Sequence, residues 1–415
     1  MSIAVIGGGA AGMMAAAAAL ESGMQVTLYE PNRLLGKKLR ITGKGRCNVT
    51  NNCSPDEILK NVITNKKFLY SSVYKFTPED CIAYFEGLGV PLKTERGRRV
   101  FPVSDKAADI SGALEKYIRD MGCEIVHRRV LSVLTENSCA VGVRLGDGDV
   151  RHSAVVVATG GVSYPGTGST GDGHKMAKDM GISVTPLKPS LVPIVLKDKT
   201  AHLMGLSLKN VKLTLLCGDR VVHSELGEML FTHFGISGPL VLSASAHMQA
   251  APVDSYKLEI DLKPALDEDV LDRRIIGDLK KYAARDFVNS LGDLLPLKLI
   301  DEVILRCGID PRKKSGEITK EERRSLLHTL KHLTLSPKSF RSLDEAVVTC
   351  GGVDTRELHP RTMMCNKIPG LFFAGEIIDV DAYTGGYNLQ IAWSTGRMAG
   401  QSAAEYAEEL EGQPL

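Results

Sequence analysis

Gly7-Gly8-Gly9-Ala10-Ala11-Gly12 follows a short apolar run, Ser2-Ile3-Ala4-Val5-Ile6, and opens an alanine-rich stretch that reaches Leu20. Few folds accommodate such a hexapeptide. Gly7 permits a tight turn out of a strand, Gly9 lets backbone approach a phosphate, and Gly12 lets a helix pack closely on the strand before it. A second apolar run, Gln25 to Tyr29, ends in Glu30, eighteen positions beyond Gly12 and placed to accept hydrogen bonds from ribose hydroxyls. Strand, glycine turn, helix, strand and acid agree in spacing. The unit is predicted to hold a dinucleotide, its diphosphate on the N–H groups and positive dipole end of the helix.

At 415 residues the chain exceeds one compact core and predicts two or three domains. Hydrophobic content of 43% and charged content of 24% are ordinary for a soluble globular protein, and a net charge of +2 gives no reason to expect a nucleic acid or an anionic membrane as partner. The nine cysteines include no CxxC pair and no zinc-ligand spacing, so no metal site is expected and a reducing cytoplasm is. The apolar stretch Ala10 to Leu20 lacks a basic leader and is too short to cross a bilayer, so no membrane span is expected.

Beyond Glu30 runs a basic, glycine-rich segment, Gly36-Lys37-Lys38-Leu39-Arg40-Ile41-Thr42-Gly43-Lys44-Gly45-Arg46-Cys47-Asn48-Val49-Thr50-Asn51, read either as a solvated loop or as one folded over cofactor phosphates and rings. Glu124 to His127 reads as a further strand of the nucleotide sheet. Val130 to Leu134 and Val141 to Leu145 read as a small antiparallel meander, and Ala154 to Ala158 as an apolar strand returning to the sheet before Thr159-Gly160-Gly161. That layout resembles glutathione-reductase-like flavoproteins. Gly166-Thr167-Gly168-Ser169-Thr170-Gly171 also fits GxGxxG, but Tyr164-Pro165 intervenes after the strand and no acid ends Ile182 to Thr185, so a separate NAD(P) domain is not expected.

From Pro186 the texture changes. Strands are expected at Leu191 to Leu196, Val211 to Leu216 and Tyr256 to Leu262, and helices at Asp267 to Arg285 and Glu321 to Leu333; Arg312-Lys313-Lys314 and Arg323-Arg324 read as solvated helix faces. Nucleotide-domain character resumes at Ile368 to Gly375, a strand that delivers a glycine and the acids Glu376 and Asp379 to the sheet's carboxyl edge. Gly385-Gly386-Tyr387-Asn388-Leu389-Gln390 then opens a last helix, whose N-terminus could stabilise negative charge on a flavin pyrimidine. The expected architecture is α/β: a Rossmann-type FAD-binding domain from 1–187 and 340–415, an inserted β-rich, barrel-like domain at 188–266, and an inserted helical subdomain at 267–339.

Several of these runs together resemble the YhiN/BaiN-like family of bacterial NAD(P)/FAD-dependent oxidoreductases: Gly7 to Gly12, G-K-K-L-R-I-T-G-K-G-R-C-N from Gly36, A-T-G-G from Ala158, T-G-D-G from Thr170, G-E-M-L-F-T-H-F-G-I-S-G-P from Gly227, V-T-C-G-G-V from Val348, A-G-E from Ala374 and G-G-Y-N-L-Q from Gly385. The resemblance implies FAD contacts at Ala11, Glu30, Lys37, Lys38 and the Val130 backbone, Glu376 or Asp379 near the ribityl–phosphate region, and Asn388 and Leu389 at the pyrimidine edge. With Gly7, Gly9, Gly12 and Gly375 these make the expected cofactor site. The family often has glycine where Ala382 stands, which leaves the Asp381-Ala382-Tyr383 loop as a place where this chain differs.

For the reaction, flavin carries hydride chemistry and the protein positions substrate and supplies a proton. His233, Tyr383 and Tyr387 are the candidate donors, each with a structural alternative; a phenol, with its ordinary value near about 10, would act as a neutral acid. Arg46 could hold a substrate carboxylate or a cofactor phosphate, and Cys47 reads as a packed thiol, since no second cysteine lies at relay spacing. The resemblance implies a soluble, cytoplasmic FAD enzyme of the EC 1.3 type that uses NAD(P)H to reduce a C=C bond conjugated to a ketone, with a 3-oxo-Δ4,6 bile acid or similar steroid-like enone, not a CoA ester, as substrate. Two alternatives stay open: an aminoacetone-oxidase type activity that releases H2O2, and a non-catalytic flavin protein that recognises RNA.

Overall fold

In a computed structural model of the chain, residues 1–412 are described. They form two compact units, Met1–Ser190 together with the segment from Leu343 onward, and Leu191–Ser342.

The first unit is built on a five-stranded sheet in the order Leu371–Phe373, Ala154–Val157, Ser2–Ile6, Gln25–Tyr29, Glu124–Val126, with every neighbouring pair parallel. Ile3 to Val5 and Ala154 to Val157 are fully buried, the near-continuous apolar pattern of strands covered on both faces. The first helix, Ala10–Glu21, has no solvent face either: Met13 to Ala19 are all 0% exposed. Its alanines are small for a reason. The last helix, Tyr387–Gly412, packs on it so closely that a Cβ at Gly396 would stand 2.4 Å from Ala11 O and one at Gly400 2.2 Å from Ala15 O. Small residues on both helices let the backbones meet.

The meander is present as Ser132–Glu136, Cys139–Leu145 and Gly148–Arg151. Its first strand begins and ends two residues later than the pattern predicts, because Val130 turns into the core at 4% exposure while Asn137 and Ser138, at φ 49° and 64°, make the primed turn a two-residue hairpin needs. Between residues 52 and 123, where no elements were expected from sequence, lie helices Pro55–Lys60, Tyr70–Lys75, Pro78–Gly87 and Ala107–Asp120, with a small sheet of Thr50–Asn51, Arg99–Pro102 and Leu92–Glu95. Thr77 starts the third of these helices with a reciprocal cap: Asp80 N donates to Thr77 Oγ1, Thr77 N donates to Asp80 Oδ2, and Pro78 fills the first helical position.

The second unit carries a seven-stranded antiparallel sheet in the order Leu333–Leu335, Tyr256–Asp261, Ser207–Cys217, Arg220–Phe231, Gly235–Ser237, Ile194–Leu196, Pro337–Phe340. The expected strand at Leu191 starts only at Ile194, because Leu191 adopts φ 55° and Val192 N donates to Ser245 Oγ instead of to a neighbouring strand. The two expected helices are Glu268–Lys281 and Lys320–Lys331, capped by Asp267 and Thr319. A third, Leu297–Cys307, was not foreseen; it ends at Gly308 in the left-handed region. Of the two basic runs in this unit, Lys313 is paired with Glu322, Lys314 with Asp286 and Arg323 with Asp272, while Arg312 and Arg324 have no ion pair among the described residues.

Candidate functional site

The glycine turn is dictated by its own crowding. A Cβ at Gly7, which sits at φ 104°, would lie 2.6 Å from Ala158 O, and one at Gly12 only 1.8 Å from Gly7 O. At Gly9 the reverse holds: a Cβ there would meet nothing within 4 Å, so the helix N-terminus opens onto free space. Glu30 stands at the mouth of this turn, its Oε2 accepting from Gly8 N at 2.8 Å and its Oε1 from Asn32 N at 2.9 Å and Asn32 Nδ2 at 2.7 Å. Oε2, with one donor, keeps a further lone pair for a hydroxyl. Ala11 is 6% exposed and faces Gly375, where a Cβ would stand 2.7 Å from Ala11 Cβ. Gly375 N donates to Thr395 Oγ1, which ties the carboxyl edge of the sheet to the last helix.

Two distant motifs interlock to build the flavin-side loop. Thr50 Oγ1 donates to Gln390 Oε1 at 2.6 Å, Trp393 Nε1 donates to Val49 O at 2.9 Å, and Gly386, at φ 99°, lies so close to Thr50 that a Cβ would be 2.4 Å from its carbonyl. Asn51 Nδ2 donates both to Gly385 O and to Gly97 O, at 3.0 Å each. Asn388 does not project into the open. Its Oδ1 accepts from Ala382 N and its Nδ2 donates to Ala382 O and Tyr383 O, so it clamps the Asp381-Ala382-Tyr383 loop. Leu389 is partly buried behind it.

Lys38 and Glu376 form the central ion pair of the site. Lys38 Nζ donates to Glu376 Oε2 at 2.7 Å and to Ser163 Oγ at 2.6 Å; Glu376 Oε1 accepts from Ser163 Oγ and Thr349 N. Burial acts to raise the Glu376 carboxyl, yet the Lys38 charge and these hydrogen bonds outweigh it and hold the group below its ordinary value. Thr349 also accepts from Val162 N and Ser163 N, which locks the segment after the A-T-G-G strand. Lys37 is exposed, and Val130 is buried beside Arg129, which pairs with Asp172 at the start of helix Asp172–Asp179. The GxGxxG-like run before that helix contains a 3-10 turn at Pro165–Thr167, not a strand-to-helix turn.

Asp379 is 8% exposed and accepts from Asn65 Nδ2; Asp381 is 1% exposed and accepts from Ser190 Oγ at 2.7 Å. Burial pushes both carboxyls above their ordinary value. Tyr387 packs against Gly385 and its phenol, raised by burial and by Cys53 and Glu57, is pushed up to about 12. Tyr383, half-buried, gives its backbone N–H to Asn61 O. His233 lies in the second unit, exposed, edge-on to Phe234 with ring centroids 5.0 Å apart. Arg46 is committed to Glu95 and Asp105 and lies over the Phe101 ring at 4.0 Å. Cys47 is 0% exposed, its thiol pushed up by burial to about 12. Thr50, Asn51, Ser163, Thr349, Gln390 and Thr395 hold the site together yet were not singled out from sequence. Thr50, Asn51, Thr349 and Gln390 lie inside motifs quoted above, and that placement was the available signal.

The residues fit a bound FAD. The Gly9 side of the turn is open, and Arg40 Nε and Asn48 Oδ1, both in the run expected to cover the cofactor, are buried without a hydrogen-bond partner. Buried polar atoms rarely stay unpaired.

Comparison with known proteins is consistent with this geometry. A family model described as HI0933-like protein Rossmann domain matches residues 1–402. The chain is 31% identical over 416 residues to the 3-dehydro-bile acid delta(4,6)-reductase of Clostridium scindens, covering 97% of this chain and 99% of that protein. It is 32% identical over 400 residues to the ribosomal RNA dihydrouridine synthase of Haemophilus influenzae, covering 94% and 95%. Among solved structures, 3-ketosteroid delta1-dehydrogenase from Sterolibacterium denitrificans shares the fold over 97% of this chain and 99% of its own, with a TM-score of 0.53 at 15% identity. A flavocytochrome c3 fumarate reductase does so over 98% and 78%, with a TM-score of 0.51 at 18% identity. The chain belongs to the HI0933-like family, a flavoprotein oxidoreductase family built on a FAD-type Rossmann domain.

Proposed function

We propose that this protein is a FAD-dependent reductase that saturates a C=C bond conjugated to a carbonyl, with NAD(P)H as electron donor. The observation that carries the reading is that two relatives matched over nearly the whole chain at 31% and 32% identity have names describing one reaction on different molecules. A Δ4,6-reductase of a 3-oxo steroid and a dihydrouridine synthase both add two hydrogens across a double bond conjugated to a carbonyl. Bound FAD supplies the hydride.

The chain's own residues do the rest. Gly7, Gly9, Ala11 and Gly12 receive the diphosphate and Glu30 a ribose; Lys37, Lys38 and the Val130 backbone hold the middle of the cofactor. Gly375, Glu376 and Asp379 bound its ribityl side, and Asn388 and Leu389 the pyrimidine edge, Asn388 by fixing the backbone it clamps. Tyr387, kept as a neutral phenol, can donate to the substrate carbonyl or protonate the carbon beside it. Tyr383 and His233 are the other candidate donors.

Two substrates satisfy this chemistry. The first is a 3-oxo-Δ4,6 bile acid, supported by the clostridial relative. The second is the uracil ring of a uridine in ribosomal RNA, which the equal similarity to the Haemophilus protein favours, although the near-neutral net charge alone gave no reason to expect RNA. The test mixes FAD-loaded protein anaerobically with NADH or NADPH and either a 3-oxo-4,6-dienoic bile acid or a ribosomal RNA transcript. The readouts are loss of dienone absorbance and, by nucleoside mass spectrometry, gain of two hydrogens on uridine. Reduction of neither substrate beyond a heat-killed control overturns the proposal.

A further inference from the structure

The turn after Leu92–Glu95 carries Arg96 and Arg98, and Arg99 opens the strand that follows, Arg99–Pro102; all three are exposed. Several exposed arginines of this unit find carboxylates, Arg119 pairing with Glu115, Arg129 with Asp172, Arg144 with Asp149 and Arg356 with Asp354, while Arg33 and Arg361 stand singly, without an ion pair among the described residues and with no second arginine beside them. Arg96, Arg98 and Arg99 have no such partner among the described residues, and the one side-chain hydrogen bond between them is Arg99 Nε to Arg96 O. Glu95, the nearest acid in the chain, is taken by Arg46 and Lys93.

The turn is nevertheless rigidly placed. Asn52 N donates to Arg98 O at 2.7 Å, Arg99 pairs with Asn51 in the small sheet, and Arg98 is held at φ 58°, a region that long side chains seldom adopt. Asn51 Nδ2, which fixes Gly97 O, also fixes Gly385 O, so the arginine turn and the flavin-side loop share one anchor. The Tyr387 phenol also feels the Arg98 charge, opposed by Glu57. Like charges on adjacent positions repel, and here the fold holds three of them together beside the site without neutralising them.

We propose that the Arg96–Arg99 turn binds a phosphate ester on a molecule that comes to the flavin-side loop, either the 2′-phosphate of a nicotinamide dinucleotide phosphate or a phosphodiester of a polynucleotide substrate. It rests on the function proposed above only in that such a molecule visits this site. Guanidinium groups suit the role because their planar donors match two phosphate oxygens at once and stay charged at any working pH.

The test is equilibrium binding to FAD-loaded protein, read without turnover: NADP+ against NAD+ by calorimetry, and a fluorescein-labelled oligouridylate by anisotropy. In R96Q/R98Q/R99Q, one of these probes is expected to bind about tenfold or more weakly, while Arg361→Gln, an exposed arginine on another loop, leaves both unchanged. Selective loss of NADP+ binding identifies the nicotinamide dinucleotide. Loss of oligouridylate binding, with the slope of log Kd against log salt shallower by up to about 2, identifies a polynucleotide. If the triple variant loses FAD, R98Q alone and the charge-conserving R96K/R98K/R99K are used, the latter expected to fall between wild type and the single variant. Unchanged binding of both probes in a variant that keeps FAD, or failure of the wild type to bind either probe, overturns the proposal. Intact phosphate binding with no reduction of any conjugated C=C bond overturns only the proposed function.

Discussion

Lys38→Met would leave the Glu376 carboxylate facing the site with hydrogen bonds from Ser163 and Thr349 but no cation. Breaking a fully buried pair costs about 3–5 kcal/mol, and the two side chains here are 23% and 21% exposed, so about 2–3 kcal/mol is the expected loss. Glu376→Gln keeps the shape and an acceptor for Thr349 N, and should cost about 1–2 kcal/mol. The double variant removes both charges together, so its loss should fall short of the sum by about 1–2 kcal/mol. The sign of the pH dependence follows from the depressed carboxyl. In the wild type its contribution is complete above the ordinary value of 4.5 and disappears as pH falls through the folded value. In Lys38→Met burial is opposed only by the Ser163 and Thr349 hydrogen bonds, so the carboxyl protonates at higher pH than in the wild type and the penalty of the variant shrinks between pH 7 and pH 5. The chain's single tryptophan, Trp393, is 0% exposed in the first unit, so urea titrations followed by its fluorescence, with and without FAD, report on this unit alone. Additive single losses, or a Lys38→Met penalty that does not shrink toward pH 5, would refute the reasoning.

Three further outcomes are expected. Gly386→Ala, which needs φ 99° and sets a Cβ 2.4 Å from the Thr50 carbonyl, should cost more than about 1 kcal/mol and lower the FAD content of purified protein, measured by absorbance ratio. Cys47, buried and with its thiol raised to about 12, should escape iodoacetamide at pH 8 in native protein while the partly exposed Cys139 and Cys217 react, as peptide mass spectrometry will show. If Tyr387 is the proton donor, Tyr387→Phe lowers kcat with little change in KM, and wild-type kcat stays level from pH 6 to 9 because a phenol raised to about 12 remains protonated; a fall centred near neutrality would refute the assignment.

The parts of this molecule that sequence exposes are those where backbone crowding leaves a mark in residue type. Gly7, Gly12 and Gly386 announce contacts that no Cβ could enter, and the unbroken apolar runs at Ile3 and Val155 announce a sheet covered on both faces. What stayed hidden depends on pairing across the chain. Nothing near Lys38 tells that its partner is Glu376, and nothing near Asn388 tells that it spends its amide on Ala382 and Tyr383. Arg46, a reasonable anion anchor by position, is already neutralised by Glu95 and Asp105, whereas Arg96 and Arg98, which drew no notice, are not. Of the helices between Pro55 and Asp120, Pro55–Lys60 and Tyr70–Lys75 are too short to show a period, whereas the Thr77-Pro78-Glu79-Asp80 start and the 14-residue Ala107–Asp120 helix carried signals in sequence that went unread.

The interlocking of the two ends of the first unit has a bearing on how the chain is made. During synthesis the Ala10–Glu21 helix emerges early with apolar surface on all sides, but the strand Leu371–Phe373 and the helix carrying Gly396 and Gly400 arrive only after Leu191–Ser342 has been produced. The intervening unit has its own apolar core and can close while the nascent N-terminal half still waits. A ribosome stalled after Pro337–Phe340 has cleared the exit tunnel, but before Leu371–Phe373 and the last helix have, would therefore present a finished second unit tethered to an unfinished sheet, a species expected to engage chaperones and to be cut first within Met1–Ser190.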